Sequence, residues 1–343
     1  MSSKLMFLIS RLAFGFLLVL PIGIVPVQAA EPVVVRVAEF PGSIAELVPW
    51  VMVEKGFCKK NGIDCQPVFL TNGPLTLQAA AAGSVDFIYT SLDLTMEANA
   101  KGADLRVVGV GERNGAYVLV MRSDLAQPHH ADGYPKNMLD LKGRTVGVAA
   151  RGSATELFVD ALLKGAGMRS DDVSFVGVGA PNTAYAAIDA KQVDAVMSWA
   201  PVPELCDVVK KCDIMVDLRN GREGPADIRA LNGGFGVWQA RREYIEKHGK
   251  EVKAFSRALV EATNWVKDPK NLTAVMALSK AHLKLADVPG KDQLLKEMVN
   301  DEVAQFGTHF DRGVVKGFND FLIKNDRLKK PFSVSSIVWP GTP

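Results

Sequence analysis

The chain has 343 residues, in which 40 Lys and Arg stand against 38 Asp and Glu. Two of the basic residues, Lys4 and Arg11, lie in a predicted export signal, so the mature chain is formally neutral, which argues against nucleic acid as a partner. The mature length is beyond what one hydrophobic core usually serves, so we expect two domains.

Residues 1–29 are predicted to be a secretory signal peptide. Lys4 and Arg11 precede an apolar run over residues 12–27, and a small-residue pattern follows with cleavage expected after about Ala29. A permanent N-terminal anchor is the alternative, because the run approaches the length that spans a bilayer. Prolines and a glycine near the end of the run favour cleavage. No second long apolar run follows in the sequence, so we expect an exported, periplasmic protein.

Strands and helices then alternate in two similar units. In the first unit we predict strands at 33–38, 66–70, 86–89 and 105–111, separated by helices at 43–57, 74–83 and 91–101. In the second we predict a strand after Arg144 and strands at 173–178, 194–198 and 213–217, separated by helices at 153–165, 181–190 and 202–210. This alternation predicts an α/β fold in which each unit forms a mainly parallel sheet flanked by helices.

The connections between the units predict a hinge. A further apolar strand is expected at 116–121, and the breaker-rich segment 123–137 after it is expected to be a loop. His129 and His130 in this loop are interpreted as solvent-exposed residues rather than metal ligands. Two extended crossovers, near 121–124 and 230–234, would join two lobes. Ligand would then lie in the cleft at the carboxyl ends of the strands.

The end of the chain is predicted to be almost wholly helical, with the helices packing back on the first lobe. The predicted helices are at 241–267, 270–283, 291–305 and 312–325. The expected domains are therefore a first lobe at 30–122, a second lobe at 123–231 and a second part of the first lobe at 232–343.

Each unit opens with a strand, a Gly-Ser turn and a helix. Ser43 and Ser153 are each followed three residues later by a glutamate, Glu46 and Glu156, which is the spacing of a capping box. The amides left over at such a helix start form an anion site at the positive end of the helix dipole, and Arg151 would add a charge beside it. The alternative is that each box only starts a helix.

The four cysteines fall into two close pairs, Cys58 with Cys65 and Cys206 with Cys212. In an oxidising compartment this even count at short spacing predicts disulfide bonds. Three connectivities are possible, and the two local bonds are the most economical hypothesis. Neither spacing fits a zinc site, and no metal is expected.

Several segments together resemble a known family. They are the signal peptide, the two Gly-Ser helix starts, and the stretches GSVDFIYTS, LKGRTVGVAARGSATE, QVDAVMSWAPVPE and GGFGVWQARREYIEKHGKEVKAF. The mature chain is similar to the periplasmic solute-binding proteins of ABC importers, in the branch that serves nitrate, sulfonates, taurine and thiamine-pyrimidine precursors. This resemblance implies a type II periplasmic binding protein with two lobes and a two-strand hinge. It further implies a monomer that delivers its solute to a membrane permease and its ATPase.

Carried over by position, the resemblance also implies a set of ligand-binding residues in the loops that face the cleft. They are Glu39, Phe40, Ser43, Asn72, Thr90, Ser91, Asp93, Arg151, Gly152, Ser153, Ala154, Thr155, Trp199, Asn232 and Gly233. Alternatives stay open for several of them. Trp199 could serve lobe packing, Thr90 and Ser91 could cap a helix, Asp93 could be an acid favoured by the helix dipole, and Arg151 could be exposed.

These residues favour a small anionic organic solute. Hydroxyl groups and two helix starts suit a sulfonate, sulfate ester or carboxylate. If Asp93 and Glu39 line the pocket, they indicate that the solute also carries an amine or another hydrogen-bond donor. Phe40, Tyr89 and Trp199 would accept an apolar or aromatic body. An enzyme on the same fold and a periplasmic sensor domain are the alternatives. No cysteine is expected in the cleft, the histidines are scattered, and we expect neither an enzyme nor a cofactor.

Overall fold

The structure is a computed structural model that describes residues 31–219, 221–231, 233–283, 285, 288 and 290–343. The strands are β1 (Val33–Glu39), β2 (Ile63–Phe69), β3 (Ile88–Thr90), β4 (Leu105–Val110), β5 (Val118–Arg122), β6 (Thr145–Val148), β7 (Ser174–Gly177), β8 (Ala195–Ser198), β9 (Cys212–Asp217) and β10 (Val237–Arg241). The predicted signal peptide and its cleavage site lie outside the described residues.

Helices connect these strands and make up most of the chain after β10. They are α1 (Leu47–Glu54), α2 (Phe57–Lys60), α3 (Gly73–Ala81), α4 (Leu92–Ala100), α5 (Ala154–Gly165), α6 (Pro181–Asp189), α7 (Val202–Val209), α8 (Ala226–Arg229), α9 (Arg242–Lys247), α10 (Gly249–Lys267), α11 (Leu272–His282), α12 (Lys291–Gln305) and α13 (Val314–Lys324). In the described part of the chain, no helix is both long enough and apolar enough to cross a bilayer.

The first sheet has the strand order β2-β1-β3-β10-β4. β1 and β2 are parallel, and β10 lies antiparallel between β3 and β4. A parallel bridge between Val37 and Phe87 joins the two parts, and the Ala38 amide donates to the Phe87 carbonyl at 2.9 Å. The antiparallel strand β10 reaches this sheet only after the chain has passed through the second unit.

The second sheet repeats this order as β7-β6-β8-β5-β9. β6 is parallel to β7 and β8, whereas β5 is antiparallel to β8 and β9. The α/β fold with two similar sheets is as predicted, but each sheet is mixed, because one antiparallel strand is inserted next to its edge strand. Hydropathy showed these strands to be buried and carried no information on their direction.

The first crossover lies earlier than predicted. β5 was expected to close the first unit, yet its hydrogen-bonding partners on both sides belong to the second sheet. The chain therefore passes between the sheets at 111–117, ahead of the boundary expected after residue 122. The return lies between β9 and β10, at 218–236, and this segment contains the predicted crossover at 230–234.

The long C-terminal helices pack mainly on the first sheet. The Phe255 ring of α10 stacks on Phe87 with centroids 3.9 Å apart, and Trp238 of β10 meets the same ring edge-on at 5.4 Å. α13 differs, since its Phe321 stacks on Phe158 of α5 at 5.3 Å. The last helix therefore contacts the second unit as well as the first.

Both local disulfide bonds are present. Cys58 of α2 is bonded to Cys65 of β2, and Cys206 of α7 is bonded to Cys212 of β9. Each bond ties the end of a helix to the strand that follows it, and all four cysteines are buried. The structure thus confirms the pairing that the spacing favoured.

Candidate functional site

A cavity of about 50 Å³ lies at the carboxyl ends of β3 and β8 and at the N-terminal ends of α4 and α5. A water needs about 10–15 Å³ on this measure, so the space suits a few waters or one compact chemical group. Residues from both units and both crossovers line it: Phe40, Ala45, Gly73, Tyr89, Thr90, Ser91, Leu94, Glu112, Ala116, Tyr117, Ala149, Ser153, Ala154, Thr155, Trp199 and Phe235. The cavity therefore lies where the open-sheet rule places a ligand, and ligand binding there stays a prediction.

The start of α5 forms one wall of this cavity, but without the predicted capping box. The Ser153 hydroxyl accepts from the Ala150 amide at 3.3 Å and contacts the Thr155 hydroxyl at 2.8 Å. Thr155 Oγ1 in turn accepts from the Ala149 amide at 2.9 Å. Because these side chains bond backward into the loop, no side chain of the described residues caps the first turn of α5. Its leading amides remain available to an acceptor.

Glu156 has a different role from the one expected of a capping box. Its carboxylate accepts from the Gly152 amide at 2.6 Å and from Arg151 Nε at 3.0 Å. The Arg151 guanidinium also lies over the Phe175 ring, and its side chain is 67% exposed. Arg151 and Gly152 therefore face a separate surface depression, and the cationic contact predicted from Arg151 is absent from the cavity.

The Gly-Ser turn after β1 reaches across to the second unit. Trp199 Nε1 donates to the Ser43 hydroxyl at 2.9 Å, and the Phe40 and Trp199 rings meet edge to face at 5.9 Å. Ser43 also caps its own helix turn by accepting from the Ala45 amide, whereas Glu46 bonds the Phe40 amide at 2.8 Å. Trp199 is thus a cavity wall and a packing contact between the units at the same time.

The loop between β3 and α4 carries polar groups that have no partner among the described residues. Thr90 Oγ1 donates to the Ser91 carbonyl at 3.2 Å. The Ser91 hydroxyl is buried without a hydrogen bond to any described residue and does not cap α4. Asp93 is fully buried, and both of its carboxylate oxygens are likewise without a partner among these residues. Burial raises the pKa of Asp93 to about 7.

Five other predicted site residues lie outside the cavity lining: Ser43 and Asp93, described above, and Glu39, Asn72 and Gly233. Glu39 is buried at the end of β1, where burial raises its pKa to about 7. Asn72 caps α3 by accepting from the Leu75 amide at 2.9 Å, and this capping bond occupies its side-chain oxygen. Gly233 has a φ of +91°, and a Cβ there would meet Val314 rather than the cavity. Asn232 lies outside the described residues.

Sequence reasoning missed Glu112, Tyr117 and Phe235. Glu112 follows β4 in the segment Gly-Glu-Arg-Asn-Gly, a polar loop at a strand end, and that position was the available signal. Glu112 is buried and lines the cavity, whereas the adjacent Arg113 is exposed. Tyr117 and Phe235 come from the two crossovers, whose contacts depend on tertiary structure.

A second cavity of about 290 Å³ adjoins the first and shares Glu112, Ala116 and Trp199 with it. Its other charged lining residues are Glu204, Arg219, Asp301 and Glu302. Burial raises the pKa of Glu302 well above its ordinary value, and the nearby Glu112 carboxyl acts in the same direction. Acidic groups therefore dominate this side of the site.

The electrostatics of the first cavity are also acidic or neutral. The described residues that line it include no Arg, Lys or His, while Glu112 contributes a carboxyl group. Nowhere in the described ranges do three or more His, Cys, Asp or Glu side chains come together as a possible metal site. The positive potential at this site comes from the amides at the starts of α4 and α5, neither of which has a side-chain cap among the described residues.

Comparisons with a family model and with known proteins agree on the kind of protein that this chain is similar to. The family model described as "NMT1/THI5 like" matches residues 50–271. A Brucella abortus protein that its name calls only a binding protein is 28% identical over 313 residues, covering 89% of this chain and 90% of that one. The taurine-binding periplasmic protein of Escherichia coli K12 is 23% identical over 256 residues, covering 72% of this chain and 73% of that one.

A solved structure shows the same fold. The alkanesulfonate-binding protein of Xanthomonas axonopodis pv. citri, bound to MOPS, superposes with a TM-score of 0.68 at 21% identity, covering 91% of this chain and 99% of that one. At this identity the likeness establishes the periplasmic binding protein fold and leaves the solute open.

Proposed function

This chain belongs to the NMT1/THI5-like family, and we propose that it is the solute-binding component of an ABC importer for a small organic acid. The observation that supports this most directly is the cavity, which residues of both units enclose at the carboxyl ends of their sheets. The fold and the relatives of this chain are those of solute-binding proteins of the sulfonate, taurine and nitrate type. In the cell it would act in the periplasm, as a monomer.

In this proposal the two units are lobes that close on the solute. The contact between Trp199 and Ser43 joins the lobes at the edge of the cavity. β5 and β10 are each held by hydrogen bonds on both sides, so they are fixed within their sheets. The crossovers at 111–117 and 218–236, which join the two sheets, would therefore be the hinge. The closed form would then be the one that a permease and its ATPase recognise.

The acidic group of the solute would lie at the start of α5. The uncapped amides there are at the positive end of the helix dipole, and the Ser153 and Thr155 hydroxyls lie beside them. This arrangement can bind a sulfonate or a carboxylate group through amides and hydroxyls, with no cationic side chain of the protein taking part. Taurine and alkanesulfonates, the solutes in the names of the relatives, carry such a group.

The proposal is tested by the thermal unfolding of residues 30–343 with taurine, alkanesulfonates, nitrate, sulfate, aromatic carboxylates and pyrimidines. A solute present at about 100 times its dissociation constant stabilises the folded chain by about 2.7 kcal/mol. One selective hit among the organic acids supports the proposal. If the protein is folded and none of these compounds stabilises it, the proposal is contradicted.

Two variants then test the position of the acidic group. Ser153→Ala should weaken binding of the hit, because it removes a hydroxyl from the α5 start. Arg151→Ala should leave the affinity unchanged, because its side chain is exposed and pairs with Glu156 outside the cavity. Circular dichroism checks that both variants are folded. An equal loss in both variants would contradict the assignment.

We also propose that the chain is a binding protein rather than an enzyme. The relatives named above are binding proteins. Prolonged incubation of the hit with the protein should return the solute unchanged by mass spectrometry, and conversion would favour the enzyme alternative.

A further inference from the structure

Glu112 faces the space in which the acidic group of the solute is proposed to bind. It is 6% exposed, and it lines both the cavity of about 50 Å³ and the adjoining cavity of about 290 Å³. The described residues that line the smaller cavity include no Arg, Lys or His to balance a charge on Glu112. An ionised carboxylate there would repel an anion held in the same small space. The site therefore binds an anion best when Glu112 is neutral.

A second carboxyl group, that of Glu302, is held against Glu112 by the backbone. Glu112 forms an antiparallel bridge with Phe306, and the Gly307 amide donates to the Gly111 carbonyl at 2.9 Å. These contacts fix the first crossover beside the last turn of α12, which carries Glu302. Glu302 is 8% exposed, and its Oε1 atom is buried without a hydrogen-bond partner among the described residues. We call Glu112 and Glu302 the carboxyl pair.

The carboxyl pair favours a bound proton. Burial raises the pKa of Glu302 well above its ordinary value, and Glu112 adds to this by charge repulsion and a hydrogen bond. Burial also raises the pKa of Glu112, although the hydrogen bond with Glu302 opposes this. Two buried carboxyl groups in contact cannot both ionise without a large cost. The pair therefore keeps a proton at a pH at which exposed glutamates have lost theirs.

The surroundings of the carboxyl pair are acidic or neutral, with one paired arginine. The ionisable side chains that face the pair or its near neighbours come from β3, the turn before α1, α7, α12 and the two crossovers: Tyr89, Glu46, Glu204, Asp301, Tyr117 and Arg219. Arg219 is held by Asp217 at 2.8 Å and also pairs with Glu204. Arg113, next to Glu112 in the chain, is exposed. A negative charge on the pair is therefore poorly compensated.

We infer that the solute binds together with a proton, which the carboxyl pair takes from the solvent and holds while the solute is bound. The inference rests on the proposed function and adds Glu112, Glu302 and a proton to the binding site. In its neutral form, Glu112 can donate a hydrogen bond toward the solute instead of repelling it. The uncapped starts of α4 and α5 then supply the positive potential without opposition.

The direction of the pH effect follows from linkage. An anion in the cavity favours the protonated form of the carboxyl pair, so protonation of the pair must favour the anion by the same factor. The affinity should therefore fall as the pH rises and the free protein loses this proton. For one linked proton the fall is at most about ten-fold per pH unit.

Calorimetric titrations with ethanesulfonate and with benzoate test the inference, because both acids stay ionised between pH 6 and pH 8.5. We expect the dissociation constant of the acid that binds more tightly to rise by about ten-fold or more over this range. Titrations at pH 7 in phosphate and in Tris, whose ionisation enthalpies differ, should show that protons are taken up as the acid binds.

Replacing the two carboxyl groups one at a time should have opposite effects. Glu112→Gln removes the charge that faces the solute, so at pH 8.5 this variant should bind the acid about ten-fold more tightly than wild type. Glu302→Gln removes the partner that shares the proton, so Glu112 should ionise at lower pH and binding at pH 6 should weaken by about five-fold. Asp93 and Glu39, whose pKa burial raises to about 7, are present in all of these proteins and largely cancel in the comparison.

Glu297→Gln is the control, because Glu297 is exposed on α12, and it should follow the wild-type pH profile. Circular dichroism checks that each variant is folded. Weaker binding in both pair variants at every pH would indicate a purely structural role and overturn the inference. A wild-type affinity that does not fall with pH, or an unchanged pH profile in Glu112→Gln, would also overturn it. These results would leave the proposed function standing. If neither acid bound the folded protein at any pH, the proposed function and the inference would both fail.

Discussion

Asp93 is the residue whose replacement tests the electrostatics of the site most directly. It is fully buried, and burial raises its pKa from the ordinary 3.8 to about 7. Since the folded state binds the proton more tightly than the unfolded state, the wild-type protein loses stability as the pH rises from about 4 to about 7. An asparagine side chain has nearly the same shape as aspartate and cannot ionise, so the Asp93→Asn variant should escape this loss.

The size of the effect follows from the pKa. Each unit of pKa difference corresponds to about 1.4 kcal/mol, and two units separate pH 5 from a pKa of about 7. The free energy of unfolding of Asp93→Asn, relative to wild type, should therefore be roughly 2.5 kcal/mol higher at pH 8 than at pH 5. Contributions of the other buried carboxyl groups occur in both proteins and largely cancel in this comparison.

Urea unfolding of both ligand-free proteins, followed by circular dichroism at pH 5, 6, 7 and 8, measures this difference. Asp207→Asn is the matched control, because Asp207 is exposed on α7 and should show no pH-dependent gain. A constant difference between wild type and Asp93→Asn across this range would refute the reasoning. It would mean that the pKa of Asp93 in the folded protein is not raised above its ordinary value.

Two further predictions follow from contacts described above. Trp199→Phe keeps the aromatic wall but removes the bond to Ser43, so the solute identified in the panel should bind about five-fold more weakly by calorimetry, as expected for about 1 kcal/mol. An unchanged affinity would show that this bond does not favour the closed form. Replacing Cys58 and Cys65 together by alanine should lower the free energy of unfolding by roughly 2 kcal/mol, because the bond closes a loop with a sequence separation of 7. Urea unfolding measures this, and wild-type stability in the variant would contradict it.

The fold was largely predictable because its signals are local. Alternating strands and helices, each bounded by glycines or small polar residues, predicted both α/β units, and the close spacing of the cysteines predicted both disulfide bonds. The direction and partners of Val118–Arg122 could not be predicted in this way. Its apolar residues show that the strand is buried, but its neighbours β8 and β9 are far along the chain.

The candidate site was predictable only as a location. Phe40, Ser91 and Trp199, which were predicted from loops at strand ends, line the cavity, and their contact with a ligand stays a prediction. The sequence also suggested Arg151 for the anion, since an arginine next to a helix start is a reasonable ligand. In the structure its partner is the nearby Glu156, and this local pairing turns the side chain away from the cavity.

The inserted strand of each sheet has a consequence for how the protein is made. All strands of the second sheet lie in one continuous run, Val118 to Asp217, so this sheet can form as soon as that run is synthesised. The first sheet must wait for β10, because this strand separates β3 from β4. Until residue 237 emerges, β3 and β4 have edges with no partner, and open edges favour association with other chains. The unit that is synthesised first is therefore completed last.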